Sequence, residues 1–197
     1  MKIKEINKIK NVNKKYDIQV AENHNFFANN ILVHNCNMYN DHFHARSLDS
    51  NNHPSRNYVK GIWGSIKSDI PQDWRICGEN LYARHSLGYD NLESYFMCFS
   101  IWNADNMCLD IDQTLEWCKL LGIVHVPILY RGVFDLDFIK NFKVDTSVQE
   151  GFVIRLAREF HYDDFSKSVV KWVRKGHVAP NSGHWQSKEI IPNKLKI

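Results

Sequence analysis

Hydrophobic residues fall along this chain in two patterns, and the change comes near residue 36. In the first fifteen residues Ile3, Ile6 and Ile9 recur every third position among Lys and Asn. That spacing suits either a short helix or an irregular strand. Tyr16-Asp17-Ile18-Gln19-Val20 alternates apolar and polar, the period of a strand with one buried face. Phe26-Phe27-Ala28 and Ile31-Leu32-Val33 flank Asn29-Asn30. Asn accepts positive φ, so this pair predicts a tight hairpin turn. Residues 1–35 are therefore expected to be β-rich. A unit of that size buries too little apolar surface to stand alone and needs a partner.

From residue 37 the apolar runs lengthen. Residues 43–48 predict a strand, followed by a polar loop to about residue 53. Residues 54–67 predict a helix, with Tyr58, Ile62 and Ile66 four apart. Residues 74–79 predict a strand running into a turn, and 95–102 an apolar, aromatic strand. Residues 112–121 predict a capped helix with Leu115, Cys118 and Leu121 on one face and Gly122 as its stop. Residues 123–130 predict a buried strand, 135–142 a short helix capped by Asp135, and 151–157 and 168–174 two further strands. The polar tail beyond Pro180 predicts loop. The fold class that follows is α+β with a mostly antiparallel sheet.

Composition narrows the possibilities. Hydrophobic residues make up 44% of the 197 and aromatics 13%, enough for a packed core. A net charge of +3 permits nucleic-acid contact without demanding it. Cysteines at 36, 77, 98, 108 and 118 are odd in number and contain no Cys-x-x-Cys pair. That argues against a disulfide framework or zinc site and for a reducing compartment, with the four later thiols buried. His42, His44, His53 and His125 lack paired metal spacing, so the metal ligands stay unknown. Trp63, Trp117 and Trp172 read as core residues rather than RNA-stacking ones. The longest apolar runs, 94–104 and 120–130, are too short to span a bilayer, and no signal peptide is visible. The expected location is the cytoplasm, a host cell's if the gene is viral, with no membrane partner.

Candidate chemistry concentrates first at His34-Asn35-Cys36. An Asn amide can attack its own main-chain carbonyl and cleave the following bond, forming a succinimide. A neighbouring His assists as general acid or hydrogen-bond donor. A Cys immediately downstream can hold an acyl group as a thioester. The tripeptide alone is a weak signal, but residues 1–36 resemble the C-terminal blocks of inteins, the self-splicing protein elements. Asp17 in Tyr-Asp-Ile-Gln-Val and His24 in Glu-Asn-His-Asn-Phe-Phe match the internal block. Ile31-Leu32-Val33-His34-Asn35 matches the terminal block, and Cys36 the first host residue. The resemblance implies an incomplete Hint fold over residues 1–35. It also implies a catalytic set of Asn35, Cys36, His34, His24 and Asp17. The thiol of Cys36 would accept an acyl group from a partner fragment, Asn35 would cyclise with help from His34 and His24, and Asp17 would tune the proton transfers. Inteins also need N-terminal blocks, and none precede residue 16. A head starting at Met1 and ending at Asn35 has the length of a split-intein C-terminal piece, so trans-splicing is expected. A truncated gene is the rival explanation.

Residues 36–197 carry a second constellation. A pocket for ATP needs an aromatic face for the base, a carboxylate for the ribose, and cations or a metal for the phosphates. Glu79 follows Cys77-Gly78, Phe99 lies in an apolar strand, Glu150-Gly151 opens another strand, and Lys171 and Arg174 end a basic one. These residues, with His44-Ala45-Arg46-Ser47, resemble the ordered motifs of covalent nucleotidyltransferases, most closely the ATP-dependent RNA ligases of the RNA-ligase-2-like family. The resemblance covers about 37–185. It implies an incomplete nucleotidyltransferase domain, ATP-grasp-like, that uses ATP and Mg2+ and acts on RNA ends. By that resemblance Arg46 contacts phosphate, Glu79 holds the ribose and Phe99 stacks on adenine. Glu150 assists the metal or nucleotide, and Lys171 contacts the α-phosphate. Val173 stands where many relatives have a second lysine, with Arg174 as a candidate substitute.

The family's nucleophile motif, Lys-x-Asp-Gly, does not occur in the chain. In relatives it stands just upstream of the stretch leading to His-Ala-Arg-Ser, where this chain carries the head. The expected partner is therefore an N-terminal fragment that carries both the remaining intein blocks and the ligase lysine. On this reading the chain is a precursor whose splicing completes an RNA ligase. A DNA ligase or capping-type transferase would use the same pocket. A fragment that only binds nucleic acid or its partner half is the alternative outside enzymology.

Overall fold

The hairpin expected around Asn29-Asn30 is present: β1 (Phe27–Ala28) and β2 (Ile31–Leu32) pair antiparallel, with Phe27 opposite Leu32. This computed structural model describes residues 27–28, 31–32, 35–44, 54–84, 87–174 and 190–197. β3 (Asn35–Met38) lies between β4 (Phe43–His44) and β5 (Arg75–Asn80), antiparallel to both. β3 is not anticipated by the periodicity, because four residues are too few to stand out from the preceding run. It nevertheless straddles the expected boundary at residues 35 and 36. Cys36 and Met38 are buried in the main core, while Asn37 between them is half-buried, which is strand alternation.

β6 (Phe96–Trp102) is the axis of the sheet, with every residue but Phe99 buried. A strand apolar on both faces has to be covered on both. It pairs antiparallel with β5 and β7 (Met107–Cys108) and parallel with β8 (Val124–His125). Helix α1 (Asn57–Ile66), entered through a 3-10 turn at Pro54–Arg56, contributes Val59 and Ile66 to the core; Tyr58, at 39% exposure, faces outward. Helix α2 (Ile111–Leu120) contributes Ile111, Thr114 and Cys118. Its cap is Asp110, whose carboxylate accepts from the Gln113 N–H at 2.7 Å, so the helix begins just before the expected start. Gly122, at φ +64, ends it in the left-handed region.

The expected buried strand over 123–130 shrinks to β8. Pro127 has no N–H for a ladder, and beyond it Ile128, Leu129 and Tyr130 are 45–55% exposed. Helix α3 (Leu136–Asn141) does form, with Asp135 accepting from the N–H groups of Asp137 and Phe138. β9 (Gly151–Arg155) and β11 (Val169–Val173) make a separate antiparallel pair. Between them run β10 (Phe160–His161), which joins β7, and the short α4 (Phe165–Ser168). Arg155 fastens the pair to the main sheet by donating from Nη2 to the Leu109 carbonyl at 2.8 Å. Among the described residues seven strands form the large sheet, so the α+β, mostly antiparallel class holds.

The main core lies where β3, β5 and β6 meet α1 and α2. A second cluster gathers Cys77, Trp102, Cys108 and Phe160. All five cysteines are buried and free. Trp63 and Trp117 pack on the main core as expected. Trp172 does not: it is 45% exposed and stacks on Phe152 at 5.3 Å, on a two-stranded pair in which β11 has only β9 beside it among the described residues. The tail is more than loop: Pro192 bridges to Ala83 and Leu195 to Leu92. No helix among the described residues is long and apolar enough to cross a membrane.

Candidate active site

Where β5 runs beside β6 the register slips between Cys77 and Gly78. A Cβ at Gly78 would strike the Phe96 ring and lie 2.7 Å from the Met97 carbonyl oxygen, so the two backbones approach as closely as only glycine allows. Such an irregularity re-aims the side chain that follows it. That side chain is Glu79, which lines a cleft of about 190 Å³ together with Asn80, Leu81, Ala83, Leu87, Tyr89, Glu150 and Asn193. Glu150 enters from the start of β9. Its carbonyl accepts from the Arg174 N–H at 2.9 Å, which ties the two ends of the β9–β11 pair together beside the cleft.

The electrostatics of the cleft are those of two nearby carboxylates with cations around them. Burial pushes the Glu79 carboxyl up to about 8; Lys171 on β11 opposes the rise and the charge of Glu150 adds to it. At neutral pH Glu79 is thus mainly protonated, able to donate one hydrogen bond and accept others. Tyr89 is pushed up to about 12, first by burial, then by Glu150 and Glu79, with Arg174 pulling the other way. Buried Nε of Arg174 has no hydrogen-bond partner among the described residues. A buried guanidinium donor without a partner is costly unless a ligand supplies one, and an anionic oxygen is the natural match.

Four of the sequence-predicted residues converge here. Glu79 and Glu150 line the cleft, and Lys171 and Arg174 act on it electrostatically. Phe99 is not part of the lining. Its half-buried ring packs on the Cys77, Trp102, Cys108 and Phe160 cluster, and its carbonyl accepts from Arg155. Arg46, Asp17, His24 and His34 lie outside the described residues, and Asn35 is described in its backbone alone, paired with Glu79 across the β3–β5 ladder. Cys36, next along, is 3% exposed; burial pushes its thiol up to about 12, with Glu79 adding to the rise and Arg56 opposing it. Asn80 and Leu81 belong to the motif that begins Gly78-Glu79, while pattern reading missed Ala83, Leu87, Tyr89 and Asn193. Ala83, Leu87 and Tyr89 sit in a segment without periodicity, and Asn193 in a tail whose polarity hides a buried position.

Among the described residues no group of three or more His, Cys, Asp or Glu is gathered as for a metal ion. Two carboxylates in one cleft do suit Mg2+, which typically binds one or two protein carboxylates and takes its other ligands from phosphates and water.

An α+β domain built on an antiparallel sheet, with paired carboxylates and cations at one strand end, has the makings of a nucleotide-handling protein. The family model of the RNA ligases matches residues 17–173, most of the chain, and the chain belongs to that family. An RNA ligase-like function follows from membership. The matched span takes in residues 17–35, so it draws no boundary at Cys36. No curated protein and no solved structure shows a significant match to the chain.

Proposed function

We propose that the cleft binds ATP and that the chain, once joined to a fragment bearing a nucleophilic lysine, seals RNA 3′-OH and 5′-phosphate ends through a ligase-AMP intermediate. The observation that carries this is that Glu79 and Glu150 line one cleft of an RNA ligase family member, with Lys171 and Arg174 near enough to act on its groups electrostatically. Glu79, protonated, would hydrogen-bond the ribose hydroxyls. Lys171 and the unpaired Nε of Arg174 would meet phosphate oxygens. Glu150 would hold Mg2+, which would supply neutralisation of phosphate charge.

The lysine has no Lys-x-Asp-Gly to come from within these residues. Trans-splicing would supply it. The partner's thioester passes to the Cys36 thiol, Asn35 cyclises and releases residues 1–35, and an S-to-N shift leaves a peptide bond at Cys36. His34-Asn35-Cys36, with Asp17 and His24 at intein spacing, supports this. The burial of Cys36 in β3 adds a requirement. A thiol pushed to about 12 and shielded from solvent is a poor nucleophile at neutral pH. The unspliced chain already seats β3 between β4 and β5, so splicing would require that strand to leave its place.

Co-expression with candidate N-terminal fragments, followed by mass spectrometry, tests the splicing arm. A ligated product is expected from the native chain and not from Asn35→Ala; product formed equally by both refutes it. Incubating the joined protein with labelled ATP, then with nicked RNA or nicked DNA, tests the ligase arm. Covalent AMP and sealing of RNA are expected; absence of covalent AMP overturns it.

A further inference from the structure

Residues 190–197 reach back over the cleft and join the segment between β5 and β6 mainly by hydrogen bonds. Tyr82 and Leu92 carbonyls accept from Asn193 and Lys196, both at 2.8 Å; the Tyr89 carbonyl accepts from Lys194 at 2.8 Å; and Ile191 accepts from Arg84 at 2.8 Å. Asn193 is the centre of this seam. It is 2% exposed. Its Nδ2 donates to the Leu81 carbonyl at 2.7 Å and to that of Ala83 at 3.4 Å, its Oδ1 accepts from the Tyr89 N–H at 2.8 Å, and its own carbonyl accepts from the Tyr95 hydroxyl at 2.9 Å. The described residues of 81–95 contain no helix or strand that could set the path of this segment independently.

Three partners of that one amide, Leu81, Ala83 and Tyr89, are themselves cleft residues. We infer that Asn193 is a positioning residue of the nucleotide pocket: it holds the wall made by Leu81, Ala83 and Tyr89 at the distance from Glu79 and Glu150 that a nucleoside requires. The inference rests on the nucleotide reading above. An apolar replacement would leave two carbonyls and one N–H unpaired in a buried place, and the wall would have to move to rewet them. Asp keeps the acceptor for the Tyr89 N–H and loses both donors, so it should fall between Asn and Ala.

The test is noncovalent ATP binding to the full 197-residue chain, in Mg2+, by titration calorimetry. Ile101→Val, a core change outside the cleft, serves as the stability-matched control. Asn193→Ala should weaken ATP binding at least tenfold, Asn193→Asp less, and Ile101→Val not at all despite a lowered Tm. The inference is overturned if Asn193→Ala binds as the native chain does, or if Ile101→Val loses affinity in step with its Tm. Saturable binding that Glu79→Ala abolishes and Asn193→Ala leaves intact refutes the role of Asn193 alone. No saturable binding by the native chain overturns the nucleotide reading and the inference with it.

Discussion

Glu79→Gln removes a titrating carboxyl from the cleft while keeping its shape. In the native chain that carboxyl is pushed from an ordinary 4.5 up to about 8, chiefly by burial, with Lys171 opposing and Glu150 adding. The folded state therefore holds this proton more tightly than the unfolded chain does. The resulting stabilisation is complete below about pH 4.5, declines as pH rises, and is gone above about 8. The separation, 8 − 4.5, is about 3.5 pH units, and at roughly 1.4 kcal/mol per unit the ceiling is about 5 kcal/mol. Glu79 is only partly screened from solvent, so the realised effect should be about 1–3 kcal/mol. Urea unfolding at pH 5, 7 and 9, followed by tryptophan fluorescence and far-ultraviolet circular dichroism, measures it. Between pH 5 and 9 the native chain should lose about 1–3 kcal/mol more than Glu79→Gln does. Parallel pH dependence in the two proteins would show that the carboxyl titrates normally and that the cleft does not desolvate it.

Other substitutions probe the supports of the site. Gly78→Ala forces a methyl group against Phe96 and the Met97 carbonyl and should cost about 1–3 kcal/mol in urea unfolding; an unchanged midpoint would mean the two strands can part. Asp110→Ala removes the cap of α2 and should cost about 1 kcal/mol, read as a Tm drop of a few degrees. Glu150→Gln withdraws the like charge from Glu79, so the pH at which unfolding stability declines should move down; no movement would separate the two carboxylates. Ellman's reagent at pH 8 should find all five thiols slow in the folded chain and fast in denaturant; one quick thiol identified as Cys36 by peptide mapping would show β3 unseated.

Much of the fold was legible because its elements carry unambiguous periods or punctuation. The run of 95–102 reads as a central strand, and Asp135 and Gly122 read as a helix start and a helix stop. Legibility fails where one residue overrides a pattern. Pro127 turns an apolar run into surface, and Tyr58 stands at helical spacing yet faces outward beside the buried Val59. Glu79 and Glu150 could be anticipated because the motifs around them, each with a glycine alongside, resemble those of the RNA ligases. Tyr89 and Asn193 could not, since the contacts that bury them join positions 104 apart. β3 is hidden for another reason: four residues are too few to show a strand period against the run that precedes them.

That strand has a consequence for how a joined product would be kept. An S-to-N shift is chemically reversible as long as the thiol can return to the neighbouring carbonyl. On the splicing reading, the new amide at Cys36 joins the β3–β5 ladder opposite Gly78, and its sulfur becomes part of the core cluster that also holds Met38 and Phe96. The sheet then acts as a ratchet. Each completed junction would be shielded from thiols, water and proteases by the sheet that holds it, and reopening it would require β3 to leave that sheet.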